Sequence, residues 1–278
     1  MDRPAPPRGY EWFSDDLHTA SMIGLPAWGV MWALAVAIFG LCKILALTAA
    51  NPGGGWRRAA FLFAWPGMDA DAFLHARSLK PTPAEWLLAW IKTGLGAVLY
   101  FGVARQFAHP LAAGWVGMAG IIFLMHFGSF HVLSCFWRSI GVQALPIMDN
   151  PIAAKSAGEF WGRRWNLAFN ELAVRFVFRP LVRRIGVQYA GIAAFVASGA
   201  IHELVISLPA GGGWGLPTAY FLLQGCGVAL ERSRFGRKIG LRGWCFTFAL
   251  TAGPAFFLFH PPFVRGVILP MMKATGAL

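Results

Sequence analysis

GVQYAGIAAFVASGAIHELVISL, from Gly186 to Leu208, is an apolar run long enough to cross a bilayer, for which about 20 residues suffice. Its length and apolarity call for a membrane-spanning helix. Its Ser198-Gly199-Ala200-Ile201-His202-Glu203 segment puts two ionisable side chains where they are costly. Five more runs of similar size lie at 26–50, 85–104, 111–137, 214–230 and 244–261, the first two interrupted by Lys43 and Lys92. Shorter apolar pieces at 59–65, 167–178 and 263–272 suit interfacial or re-entrant helices. The expected fold is all-α: a polytopic transmembrane helical bundle of about six to eight spans, with interfacial or re-entrant helices between them.

Composition agrees. Of 278 residues, 57% are hydrophobic and 13% charged; soluble domains average about 45–50% and about 25%. Mean hydropathy is +0.55. An ordinary soluble domain, a disordered chain and a coiled coil are excluded. The net charge is +12, from 24 Lys and Arg against 12 Asp and Glu. These cations sit in short clusters between apolar runs, so they report membrane topology and no nucleic-acid partner is expected. Most lie between the first and second, third and fourth, and fifth and sixth runs. The positive-inside rule puts those loops in the cytoplasm and both termini outside. Cys42, Cys135, Cys226 and Cys245 lie in apolar stretches, form no CxxC pair, and read as small buried hydrophobes. The opening MDRPAPPRGYEWFSDD is polar and lacks the apolar core of a signal peptide. No internal repeat stands out. One membrane domain, 1–278, is expected, with a polar segment at 1–24, a cytoplasmic basic–aromatic loop at 138–185 and the span 186–208.

Adjacent His202 and Glu203 admit two readings, a structural polar pair joining helices or a catalytic base, since imidazole titrates near neutral pH. Zinc is disfavoured: HExxH needs a second histidine where Ile206 stands. His126 and His131, in HFGSFH, would lie about 140° apart on an α-helix and cannot share one metal from one face. Either can still meet a histidine of another helix, as in a haem site. His18, His75, His109 and His260 lie near run boundaries and carry little signal. The segment DNPIAAKSAGEFWGRRWNLAFNELAVRFVFRPLVRR, starting at Asp149, interleaves aromatics with Arg163, Arg164, Arg175 and Arg179. It suits an interfacial helix against lipid phosphates, or a pocket for a large anionic cofactor. Walker A and dinucleotide-binding glycine patterns are absent.

Glu159-Phe160-Trp161-Gly162-Arg163-Arg164-Trp165-Asn166, followed by the SGxxHE segment ending at Glu203, resembles the membrane-bound O-acyltransferase family, and most of all its wax synthase-like branch. The likeness extends to Arg179-Pro180 and Trp65-Pro66-Gly67-Met68-Asp69, covering roughly 60–240. It implies transfer of an acyl group from acyl-CoA to the hydroxyl of a lipophilic acceptor. The first candidate is a long-chain alcohol giving a wax ester; a sterol, a diacylglycerol or a small natural-product alcohol are the alternatives. The resemblance makes His202 the catalytic base and Asn166 the second catalytic-site residue. Glu203, Trp165, Arg163, Arg164, Glu159 and Ser198 are the expected supporting or cofactor-binding residues. The chain is shorter than many members and shows fewer spans.

The chemistry fits those residues. A neutral His202 can take the hydroxyl proton during attack on the thioester. Glu203 is its nearest neighbour in sequence, though adjacent helical residues point about 100° apart. Asn166 can hydrogen-bond the developing oxyanion. No permanently bound cofactor and no metal is expected; acyl-CoA, the alcohol and membrane lipids are the partners, and the oligomeric state stays open. His202 lies roughly 24 Å along the helix from its cytoplasmic start, so the thioester must reach deep into the membrane. Other classes to weigh are a haem or redox protein using His126, His131, His202 and His260, a lipid or anion carrier, and an inactive scaffold. The Ala-, Gly- and Arg-rich composition points to a bacterial inner membrane.

Overall fold

A computed structural model describes residues 24–278, so most of the polar 1–24 segment lies outside the described residues. The described chain is mainly helical, with no strand among its described residues. The helices are α1 (Ala27–Thr48), α2 (Trp56–Ala64), α3 (Ala70–His75), α4 (Pro83–Gln106), α5 (Pro110–Ser139), α6 (Leu167–Ala210), α7 (Leu216–Arg232), α8 (Arg234–Lys238), α9 (Trp244–Leu258) and α10 (Pro261–Ala274). The all-α membrane fold expected from the apolar runs is what the chain adopts.

Fewer elements are long and apolar enough to span than the six runs suggest. Four qualify, α1, α4, α5 and α6, or five if α9 and α10 count as one bent span. The fifth run forms α7, whose 17 residues are short for a crossing. The sixth run forms α9, which ends at Leu258, and the separate piece 263–272 lies in α10, bent from α9 by 58°. Pro261 and Pro262 have no amide hydrogen to continue the ladder, so the chain must turn before them. The count of six to eight spans is therefore not reached by these helices.

The segment 138–185 also differs from a simple loop. Its last part is helical from Leu167 and runs on into α6. Pro180 is accommodated because the preceding turn, Ala173–Phe178, is widened, with backbone bonds to the fifth residue. The helix then breaks at Gly186, whose φ of 78° lies in the left-handed region.

Close backbone approach, made possible by glycine, sets the packing. A Cβ on Gly96 would sit 2.2 Å from the Leu124 nitrogen, and one on Gly120 2.7 Å from the Tyr100 nitrogen, so α4 and α5 touch backbone to backbone. A Cβ on Gly199 would sit 2.8 Å from the Thr218 Cα, which brings α7 against α6 at the level of His202. Small residues at such contacts are what membrane helices use to pack.

Two apolar cores result. One joins Tyr100, Met118, Ile206, Phe221, Val264 and Met272. The other joins Phe61, Trp65, Phe73, Trp137, Met148 and Leu172. Lys43, buried in α1, donates to the Gly67 carbonyl at 2.6 Å and lies 3.3 Å over the Phe61 ring. It pins the Trp65–Asp69 turn onto the second core.

Candidate active site

His202 stands near the end of the regular part of α6, just before a second widened turn, Glu203–Ser207. Its Nδ1 is 2.7 Å from the Ser198 carbonyl, one helical turn back. A carbonyl only accepts, so Nδ1 carries the proton and Nε2 keeps its lone pair. The Phe221 ring of α7 packs 4.5 Å from the imidazole, centroid to centroid. The imidazole is thus oriented by its own helix and faced by an apolar ring. Ser198 serves through its carbonyl; its hydroxyl donates back to Ala194.

Glu203 does something other than its position in the sequence suggests. One carboxylate oxygen accepts the Thr218 amide at 3.0 Å and the Thr218 hydroxyl at 2.9 Å. Gly215, preceding α7, has no side chain with which to cap the free amides there. Glu203 supplies that cap from the neighbouring helix, where a carboxylate is also favoured by the helix dipole. Its second oxygen is buried without a hydrogen-bond partner among the described residues.

The aromatic–arginine motif folds as a short turn, Ala157–Glu159 followed by the widened Phe160–Arg164. Ser156 caps it, its hydroxyl accepting the Glu159 amide. Its two tryptophans go to different cores, Trp161 to the first and Trp165 to the second. Trp161 donates its indole N–H to Gln224 Oε1 at 3.2 Å, and Gln224 donates to the Leu250 carbonyl at 2.7 Å. The Trp161 ring lies 5.7 Å from Phe221, the ring that faces His202. Phe221 therefore links the motif to the intramembrane histidine.

Asn166 ends the motif with φ 42° and ψ 60°, a left-handed conformation that asparagine tolerates better than most residues. Two backbone bonds, Asp149 N–H to the Arg164 carbonyl (2.8 Å) and Leu167 N–H to the Ile147 carbonyl (2.9 Å), hold the segment together with a third from Asn166 N–H to the side-chain sulfur of Met148 (3.2 Å). None of these engages the Asn166 side-chain amide.

The motif's charged residues divide in role. Arg164 donates to Glu159 at 2.7 Å and to the Asp149 and Asn150 carbonyls, so it staples the turn. The Lys155 amide and the Arg164 guanidinium hold the Glu159 carboxyl below the usual carboxylate range. Arg163 is exposed and lines a cleft of about 580 Å³ together with Lys155, Glu159, Glu231, Arg232 and Arg242. Glu231, only 1% exposed, accepts the Ala157 amide at 2.6 Å and so anchors the motif turn to the end of α7. The cleft presents four cations against two carboxylates, both already engaged: Glu159 with Arg164 and the Lys155 amide, Glu231 with the Ala157 amide and, at 3.7 Å, with Arg242.

Sequence reasoning missed Trp161, Phe221, Gln224 and Glu231 as site components. Gln224 and Glu231 carried a signal as polar residues in or beside an apolar run; Phe221 carried none. The remaining histidines keep separate company. His126 packs on Phe130, and His260 lies against Phe263 and 3.4 Å from the Ser207 hydroxyl. His126 sits in another widened turn, Phe123–Ser129, so the α-helical angle expected between it and His131 does not apply.

Comparison with known proteins adds to this geometry. Residues 144–223 match the family described as membrane bound O-acyl transferase. That segment contains Asn166 and His202 and ends one residue before Gln224. The chain is 33% identical over 147 residues to probable long-chain-alcohol O-fatty-acyltransferase 7 of Arabidopsis thaliana, covering 45% of this chain and 42% of the relative. It is 30% identical over 183 residues to probable long-chain-alcohol O-fatty-acyltransferase 1 of the same plant, covering 60% and 50%. It is 31% identical over 144 residues to the long-chain-alcohol O-fatty-acyltransferase of Simmondsia chinensis, covering 46% and 40%. Each match spans half or less of the relative's length. The resemblance to the wax synthase-like branch, read from two motifs, is upheld by these matches.

Proposed function

We propose that this chain is a membrane O-acyltransferase that moves an acyl group from acyl-CoA to the hydroxyl of a lipophilic acceptor, most simply a long-chain alcohol, giving a wax ester. The observation that carries the reading is the state of His202: Nδ1–H is spent on the Ser198 carbonyl, and Nε2 is left as a proton acceptor beside an apolar ring. His202 and Asn166 also fall inside the family-matched segment, and the relatives named above support the choice of acceptor.

An alcohol is a poor nucleophile at neutral pH. As its oxygen attacks the thioester carbonyl, His202 Nε2 takes the hydroxyl proton. The carbonyl electrons move onto oxygen, and the Asn166 amide stabilises that oxyanion. The tetrahedral intermediate collapses with cleavage of the carbon–sulfur bond. The imidazolium returns its proton to the CoA sulfur, so ester and CoA leave and His202 is neutral again. No acyl-enzyme forms. Exclusion of water from this apolar surrounding suppresses thioester hydrolysis.

The basic cleft beside Arg163 suits the CoA phosphates, since guanidinium groups bind phosphate bidentately. Glu159 and Arg164 act by holding the motif turn, and Trp165 by fixing the approach to Asn166. The whole chain works as one membrane domain, and composition favours a bacterial inner membrane as its location.

The test is purified protein in lipid-supplemented detergent with palmitoyl-CoA or acetyl-CoA and a pool of fatty alcohols, sterols and diacylglycerol. Mass spectrometry reads free CoA and esters. A wax ester formed with stoichiometric CoA supports the reading. Another ester replaces the acceptor, and no donor consumption with any acceptor removes the acyltransfer assignment.

A further inference from the structure

The 44-residue helix α6 is too long for one crossing. At 1.5 Å per residue a helix of that size extends about 66 Å, whereas the hydrocarbon core is about 30 Å thick. The break at Gly186 divides it. The part after Gly186 is the apolar run that bears His202. The part before it, 167–185, holds four arginines against one glutamate, a composition foreign to hydrocarbon.

The cations are not alike. Arg175 donates to the Ala49 carbonyl and is partly buried, so it is used within the fold. Arg179, Arg183 and Arg184 are all exposed. Arg179 and Arg183 stand one helical turn apart and share a face. Among the described residues the ion pairs are Arg138–Glu85, Arg164–Glu159 and Arg242–Glu231, and none involves these three. Immediately beyond them, Ile185, Val187 and Tyr189 are also exposed, at 43%, 57% and 67%. Cations followed within one turn by exposed apolar and tyrosine side chains form the sequence of environments met at a headgroup boundary.

From this we infer that Arg179, Arg183 and Arg184 form a docking surface for anionic phospholipid headgroups, with Gly186 marking the point where α6 leaves the interface and enters the hydrocarbon. The occupant is argued from charge complementarity and from continuity of this face with lipid-facing apolar residues. The surface is separate from the cleft around Arg163, so its loss leaves CoA binding intact.

The experiment uses full-length protein in detergent, titrated with phosphatidylglycerol or phosphatidylcholine, with thermal stability and lipid retention in native mass spectrometry as readouts. Phosphatidylglycerol should raise Tm and remain bound in preference to phosphatidylcholine. In Arg179→Gln/Arg183→Gln/Arg184→Gln the affinity for phosphatidylglycerol should fall on the order of a hundredfold, roughly fivefold per arginine. Raising the salt should weaken wild-type binding and leave the triple variant unmoved. A second arm measures CoA binding, expected to be unchanged in the triple variant. The inference is overturned if the two lipids act alike, if the triple variant retains wild-type affinity, or if the variant loses CoA binding while keeping the lipid. The separate Arg179→Gln and Arg183→Gln variants keep the test valid should the triple variant fail to fold.

Discussion

Gly199 and Gly191 lie in one helix, two turns apart, yet the same substitution should move stability in opposite directions. A Cβ at Gly191 meets nothing within 4 Å. Alanine there removes unfolded-state freedom and raises helix propensity, so Gly191→Ala should stabilise by roughly 0.4–1 kcal/mol. A Cβ at Gly199 would lie 2.8 Å from the Thr218 Cα and 3.3 Å from the Thr218 Cβ and Oγ1. The clash is with backbone, so α7 itself must retreat by most of an ångström. Overpacking of this kind costs about 1–3 kcal/mol. The shift also stretches the two bonds from Thr218 to Glu203, worth about 1.5–3 kcal/mol when the partner is charged. After the propensity gain, Gly199→Ala should destabilise by about 2–4 kcal/mol. The two variants should therefore differ by about 3 kcal/mol or more. Reversible unfolding in mixed micelles, with wild type alongside, gives the comparison. Activity should fall in Gly199→Ala, because Phe221 moves with α7, and stay near wild type in Gly191→Ala. If the two variants show equal stability, the close α6–α7 contact is wrong, and with it the aromatic wall beside His202.

Gln224, with 0% exposure, joins Trp161 to the Leu250 carbonyl; Gln224→Leu should destabilise by about 1–3 kcal/mol through two unpaired groups and lower kcat more than it raises KM, as steady-state kinetics will read. Arg163→Gln, in the basic cleft, should raise KM for acyl-CoA and leave kcat and KM for the alcohol near wild type, and the effect should shrink at high salt. Glu159 has a carboxyl pKa held low in the folded protein, so its contribution exists above the unfolded value, about 4.3, and is lost as pH falls through the lower folded value. Wild type should accordingly exceed Glu159→Gln in Tm at pH 7, with the gap closing below about pH 4 in a pH series.

Much of this was legible in the sequence because hydropathy and membrane thickness are both strong constraints. The run 186–208 announces a helix from its length alone. His202 stands out because an imidazole in an apolar run is costly unless it is paired or used. The break between α9 and α10 falls where the run 244–261 ends and the separate piece 263–272 begins, at Pro261 and Pro262, so it too was legible. A helix starting near Leu167 was legible as the interfacial piece 167–178; its continuation past Pro180 into the span was not, because arginines at 175, 179, 183 and 184 separate the two apolar stretches. Glu203 illustrates a deeper limit. Adjacency to His202 suggested a partner, yet neighbouring helical positions diverge by about 100°. Its actual partner, Thr218, lies on the next helix, and only the capping need of α7, set by Gly215, explains the contact. The Trp161–Phe221 contact depends on two helices meeting at Gly199, which no single-chain pattern encodes.

In the proposed mechanism His202 Nε2 removes the acceptor's proton. The most direct measurement is CoA release and ester formation by His202→Ala and Asn166→Ala beside wild type, with the Tm of each variant taken on the same preparation. Loss of one general base costs about 10²–10⁴-fold in rate. A fall in that range is expected for His202→Ala at a Tm within a few degrees of wild type, and a smaller fall for Asn166→Ala. Ester formation by folded His202→Ala at the wild-type rate would contradict that mechanism.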